Sequence, residues 1–252
     1  MTRFPLFRPS LLSCCVALAA VGASAPAHSS PDAFVFQPYA DEGTLVVQYA
    51  YGVEKYRDGS NEQAHSLALA WSPTSRWFTA AYAGWYREPG EAMTFDAVSW
   101  VNHLSLIEPA SSPVSVGLYL EIERPRDRSE GYELTWGPTF QLDTSHVQAN
   151  LNLWLQKNLR AETAGPAVLG YQWQVKSLLQ PRLEWGLQGF GSVGPWQHWS
   201  GASEQEHSVG PAVFAKWPTR GDGVLRFDAA VLAGLTSASS RVTFRLRTQY
   251  QF

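Results

Sequence analysis

The sequence predicts an all-β fold, a transmembrane antiparallel up-and-down β-barrel of about twelve strands. Three observations predict it. Period-two alternation of apolar and polar residues recurs along the chain, bounded by turn residues. The polar half of that alternation is Gln, Asn, Ser, Thr and Gly rather than charge, and only 16% of residues are charged, against about 25% in an ordinary soluble domain. Trp 11, Tyr 10 and Phe 12 make the chain aromatic-rich, and many of these rings sit at segment ends.

A leader is expected at the start of the sequence. Thr2 to Ser10 carries Arg3 and Arg8 and no acid, Leu11 to Ala23 is apolar, and Ala23-Ser24-Ala25 and Ala25-Pro26-Ala27 are small-residue cut sites. That is the pattern of a secretory signal peptide spanning 1–27, too short in its apolar run for a membrane helix of about 20 residues. Cleavage after Ala27 avoids leaving Pro26 at the new terminus. Cys14 and Cys15 leave with it, so the mature chain has no disulfide framework and no thiolate chemistry. Leu11-Leu12-Ser13-Cys14 is a poor lipoprotein box because the stretch before it is short and charged. The remaining 17 basic and 22 acidic side chains give a net charge of −5, which argues against a nucleic-acid partner.

Residues 28–43 precede the first strand and suit either a lumenal or a periplasmic segment, with Phe34, Val35 and Phe36 as its apolar part. The barrel is expected over 44–252. Its clearest strands are in the middle. Val114, Val116, Leu118, Leu120 and Ile122 alternate with Ser115, Gly117, Tyr119, Glu121 and Glu123. Similar alternation runs through Tyr132–Leu142, Val147–Gln156 and Leu169–Lys176. The others are expected near 44–56, 62–72, 76–87, 93–107, 180–192, 206–217, 223–236 and 240–252, with 76–87 and 93–107 apolar on both faces. Connections after even strands are short, as in 72–75 and 143–145, and the longest and most polar follow odd strands, as in 124–131, 158–165 and 194–206. A barrel with longer external loops and both termini periplasmic has this asymmetry. SASS at 237–240 is a short exception.

The last strand, RVTFRLRTQYQF, puts Val242, Phe244, Leu246, Tyr250 and Phe252 on one side and Arg241, Arg245 and Arg247 on the other. Lipid on one face and a polar lumen on the other explain the split, since charge facing mid-bilayer lipid costs about 2–4 kcal/mol. On these residues the mature chain resembles bacterial outer-membrane β-barrel proteins of the porin and transporter kind. The resemblance implies outer-membrane localisation, outer-membrane lipids as surroundings, and an assembly signal in Phe244, Tyr250 and Phe252 that the barrel-assembly machinery reads. Gly-Pro echoes at 137–138, 165–166 and 210–211 add a faint similarity to barrels encoded with phenol-degradation pathways. Pro138 and Pro211 are expected at bulges or strand starts, because proline removes a ladder hydrogen bond.

The expected function is passive passage of small hydrophilic solutes through the lumen, with no cofactor. The candidate filter is Glu121, Glu123 and Glu133 against Arg182, Arg226, Arg241, Arg245 and Arg247, with Lys176 and Lys216 as further inward bases. In a ring of twelve strands these two sets face each other and set a transverse field, although Glu121, Glu123 and Glu133 lie near the outer rim and Arg245 and Arg247 deeper. A lumen closed by internal salt bridges is the competing reading. Two others stand beside it. One is a lipid-active enzyme of the phospholipase or deacylase kind, for which His103 with Ser105, or His207 with Ser208, would supply base and nucleophile. The residues after both serines depart from the outer-membrane phospholipase pattern, which continues into Asn-Gly. The other is a non-conducting structural or binding barrel that uses the loop with Trp196 and Trp199. His65, His103, His146, His198 and His207 are scattered singly, which speaks against a metal site.

Overall fold

The computed structural model describes residues 30–37, 41–107, 112–163, 165–180, 182–219, 221 and 223–252. The leader expected over 1–27 lies outside them. Twelve strands follow in order: β1 (Leu45–Lys55), β2 (Asn61–Thr74), β3 (Trp77–Arg87), β4 (Thr94–Ile107), β5 (Val114–Pro125), β6 (Tyr132–Asp143), β7 (Val147–Leu159), β8 (Val168–Ser177), β9 (Leu183–Pro195), β10 (Glu206–Pro218), β11 (Val224–Gly234) and β12 (Val242–Gln251). Each pairs antiparallel with its neighbours, and β1 pairs with β12, so the sheet closes into a barrel and leaves no free edge. The strand class, number and order agree with the alternation. The largest shift is at β9, which begins at Leu183 rather than near 180.

Alternation fixes the two faces. On β1, Val46, Gln48, Ala50, Gly52 and Glu54 turn inward, and Leu45, Val47 and Tyr49 turn out and are exposed. The exterior is an apolar band with aromatics toward its rims. Trp71, Trp77, Trp185 and Trp217 stand at the end of the short turns, and Phe95 and Tyr132 at the other, all exposed. The longer connections gather at that second end, at 56–60, 88–93, 126–131, 160–167, 196–205 and 235–241. The last of these is longer than the SASS stretch suggests, because β11 stops at Gly234. Arg57 crosses the closing seam there, and its guanidinium donates to the carbonyls of Thr236 at 2.8 Å and Ser239 at 2.7 Å.

Pro138 and Pro211 are at neither bulges nor strand starts. Pro138 keeps register with Leu118 on β5, and Pro211 with Leu187 on β9, while the flanking pairs on the opposite neighbour continue in step. The glycine before each proline explains how the strand stays in place. A Cβ on Gly137 would stand 1.8 Å from the Leu153 carbonyl oxygen, and one on Gly210 would stand 1.9 Å from that of Val231. The neighbouring backbone therefore packs close where the ladder is interrupted. Register shifts occur elsewhere, at Trp71/Thr74, Gly84/Trp85, Ser105/Ile107 and Leu169/Gly170.

The hydrophobic core lies inside the barrel and is built around residues 30–37. Phe36 packs with Val46, Ala70, Ala80, Val101, Tyr119 and Trp154. Val35 packs with Phe190, Ala212, Phe214, Ala230 and Leu232. Small inward residues such as Ala50, Ala64, Ala68, Ala70 and Ala80 leave one wall of the lumen open enough to take the segment. Gly52 is the tightest point, where a Cβ would stand 1.9 Å from the Pro31 carbonyl oxygen.

Candidate functional site: a lumen of two chambers

Ser30 to Gln37 runs down the lumen toward the start of β1. Polar side chains of the wall hold its backbone. Arg245 donates from Nε to the Pro31 carbonyl at 3.0 Å and from Nη2 to that of Ser30 at 3.3 Å. Asn152 Nδ2 donates to the Phe36 carbonyl at 3.0 Å. The Arg245 guanidinium also lies 3.8 Å from the Phe190 ring centre, and that of Arg247 lies 4.3 Å from the Phe34 ring centre. Phe36 is edge-on to Tyr119 at 5.0 Å and to Phe78 at 5.4 Å. Of the two places open to residues 28–43, residues 30–37 occupy the lumen, and 41–43 form an exposed turn before β1.

The segment separates two chambers of opposite charge. Toward the long connections lies a cavity of about 520 Å³. Glu54, Glu62, Asp96, Glu121, Glu123 and Glu133 line it, with Tyr82, Tyr119 and Trp154, and no lysine or arginine is among its described lining residues. Toward the short turns lies a smaller cavity of about 70 Å³, lined by Lys176, Arg182, Lys216, Arg226 and Arg247 against Glu184 and Asp228. Here the bases are largely engaged. Lys176 pairs with Glu184 at 3.1 Å, Arg226 Nε donates to Gln251 at 3.0 Å, and Arg247 grips Asp228 with Nε and Nη2.

Between the chambers the wall of β6 to β9 is neutral. Gln141, Asn150, Gln174 and Gln188 stand directly opposite one another in register. Their amides hydrogen-bond in sequence around the wall, Asn150 to Gln141 at 2.6 Å, Gln174 to Asn150 at 3.0 Å and Gln188 to Gln174 at 3.1 Å. Alternation placed these amides inward, but their joining into one ladder needs the register and was not legible in the sequence.

The candidate filter residues are not arranged as two facing walls. Glu121, Glu123 and Glu133 share the acidic chamber, whereas Arg182, Arg226 and Arg247 line the basic one, so the charge separation runs along the barrel axis. Arg245 lies between, bound to the segment and 3.9 Å from Glu54. Arg241 lies outside the lumen, exposed in the turn before β12, because that strand begins one residue later. Glu54, Glu62 and Asp96 were missed as lumenal acids, although the parity of β1 and β2 already placed the first two inward.

Parity keeps one hydrolase candidate pair on a single face and separates the other. His103 is buried in the lumen, with Nε2 2.9 Å from Thr139 Oγ1 and its ring against Phe36. Ser105 is also buried on the inner face. His207 and Ser208 are adjacent on β10 and so point to opposite faces, and His207 is engaged by Tyr171 at 2.8 Å and Gln205 at 3.0 Å. The terminal strand presents Phe252 exposed, its amide donating to the Leu45 carbonyl at 2.9 Å, with the Tyr250 ring 4.6 Å away.

No family model and no curated protein matches the chain. Solved structures do match in shape. An outer membrane channel from Pseudomonas putida F1 superposes with a TM-score of 0.59 at 10% identity, over 87% of this chain and 99% of that one. The NanC porin matches with a TM-score of 0.55 at 10% identity, over 82% of this chain and 98% of that one. The KdgM porin, in complex with disordered oligogalacturonate, matches at 0.54 and 8% identity over the same shares. The chain has the fold of outer-membrane porin and channel barrels.

Proposed function

We propose that this chain is an outer-membrane channel for passive passage of small hydrophilic solutes. The observation that carries the reading is a closed barrel, apolar outside, whose lumen holds a polar chamber at each end. The shared fold of porins and channels supports it. The longer connections face outward, and the start of β1 and the end of β12 lie at the periplasmic rim. Residues 30–37 narrow the path between the chambers, so conductance is small while they stay in place.

The filter acts in series. A solute meets Glu121, Glu123 and Glu133 first, then passes Arg245, and leaves by Arg247, Arg226 and Arg182. An anionic oligosaccharide of the kind held by the KdgM porin does not suit the first chamber. The protein has no catalytic role in this reading, since His103 and Ser105 are enclosed in the lumen away from lipid. Its partners are outer-membrane lipids, the solute, and the barrel-assembly machinery, which reads Phe252 with Tyr250 and Phe244. Planar-bilayer recording of the refolded chain from His28 tests the reading. Discrete steps are expected, and a folded barrel that stays silent with and without residues 28–37 would refute it.

A further inference from the structure

The geometry points to the acidic chamber as a binding site for an organic ammonium ion. This step rests on the channel reading and names its solute class. Two like-charged cross-strand pairs face the chamber, Glu54 with Glu62 and Glu123 with Glu133. The first is bridged, since the Tyr56 hydroxyl reaches Glu62 at 2.9 Å and Glu54 at 3.5 Å, and Arg245 stands 3.9 Å from Glu54. The second has no basic side chain within ion-pair distance among the described residues. Like charges directly opposite each other on a sheet are destabilising, and a cation between them removes that cost.

A second, independent feature lies across the chamber. Ser192 turns inward from β9 opposite Glu206, is only 7% exposed, and lines the cavity. Its hydroxyl makes no hydrogen bond to another described residue and faces the cavity. A hydroxyl left open toward the cavity on an otherwise enclosed side chain is available to hydrogen-bond a ligand's polar group that reaches that wall.

The size and walls of the chamber select among cations. Among the described residues no group of three or more acids and histidines is placed to hold a metal ion. The carboxylates are spread around a cavity of about 520 Å³, which falls within the range of small-molecule sites. Tyr119 and Trp154, with rings 4.5 Å apart, line the same space and supply the aromatic faces that favour diffuse organic cations. Tyr119 also donates its hydroxyl to Glu121 at 2.7 Å, which fixes that carboxylate beside the rings.

The test is calorimetric titration of the refolded chain with choline, and with 3,3-dimethylbutan-1-ol as its uncharged isostere. Saturable choline binding is expected, with the isostere weaker by about tenfold or more. The variant carrying Glu123→Gln and Glu133→Gln is expected to lose about tenfold in choline affinity, with isostere binding unchanged. If that variant does not fold, Glu133→Gln alone and Ser192→Ala provide the comparison, each expected to weaken choline. Equal binding of the two probes, no saturable binding, or unchanged choline affinity in the variants would overturn the site. Channel steps without choline binding would sink the site and leave the channel standing; choline binding by a silent barrel would do the reverse.

Discussion

Glu123 and Glu133 are direct cross-strand partners on β5 and β6, and both line the acidic chamber. Like charges so placed on neighbouring strands oppose folding. Replacing Glu133 by Gln is therefore expected to raise stability by about 0.2–1 kcal/mol. Urea unfolding in lipid vesicles measures it. A loss of stability would mean that the pair is already neutralised within the protein.

Gly52 meets the lumenal segment at the Pro31 carbonyl. The methyl group of Gly52→Ala cannot fit while the segment stays in place, and the backbone of β1, paired on both sides, is the less movable partner. The variant is expected to fold as a barrel, to release residues 30–37 to added protease, and to conduct more than the parent. An unchanged conductance and an intact segment would show that the strand yields instead.

Gly137 and Gly210 each precede a strand proline and each admit a neighbouring carbonyl closely. A Cβ there meets backbone on a paired strand. Gly137→Val and Gly210→Val are expected to prevent barrel closure, seen as loss of the heat-modifiable folded band in electrophoresis. Gly84→Ala serves as the comparison, because its Cβ would have 3.8 Å to its nearest contact, and it should fold.

Asp127 caps the short 3-10 turn at Arg128–Glu130, outside the barrel wall. Its carboxylate accepts from Ser129 Oγ at 2.7 Å and from the Ser129 amide at 2.9 Å, and these bonds hold it below the usual carboxylate range. Because the folded value is depressed, the cap contributes above the ordinary aspartate value and is lost as the pH falls through the folded one. Amide exchange at Ser129 should stay slow, relative to the intrinsic rate, at pH 5. In Asp127→Ala that protection should be absent at every pH.

The barrel was legible because strand parity is local. Each inward glutamine or outward leucine declares its face without knowing its neighbours, and the twelve segments were recovered within a few residues. What fills the lumen was not legible. Phe34, Val35 and Phe36 read equally well as a free tail, because their partners, Tyr119, Trp154 and Phe190, are distant in sequence. Arg245 and Arg247 were placed inward by parity, yet their roles follow from Pro31, Phe34 and Asp228, which only the closed ring brings near them. Depth along the axis was partly legible, since strand position already set Glu121, Glu123 and Glu133 nearer the outer rim than Arg245 and Arg247. The facing-wall reading gave way because the closed register puts the acids and most of the bases in separate chambers.

The most direct test of the channel is single-channel conductance of the chain from His28 beside the same chain lacking residues 28–37, in salts of unequal ion size. The account predicts small discrete steps in the first and severalfold larger steps in the second. Two folded barrels that both remain silent would contradict it.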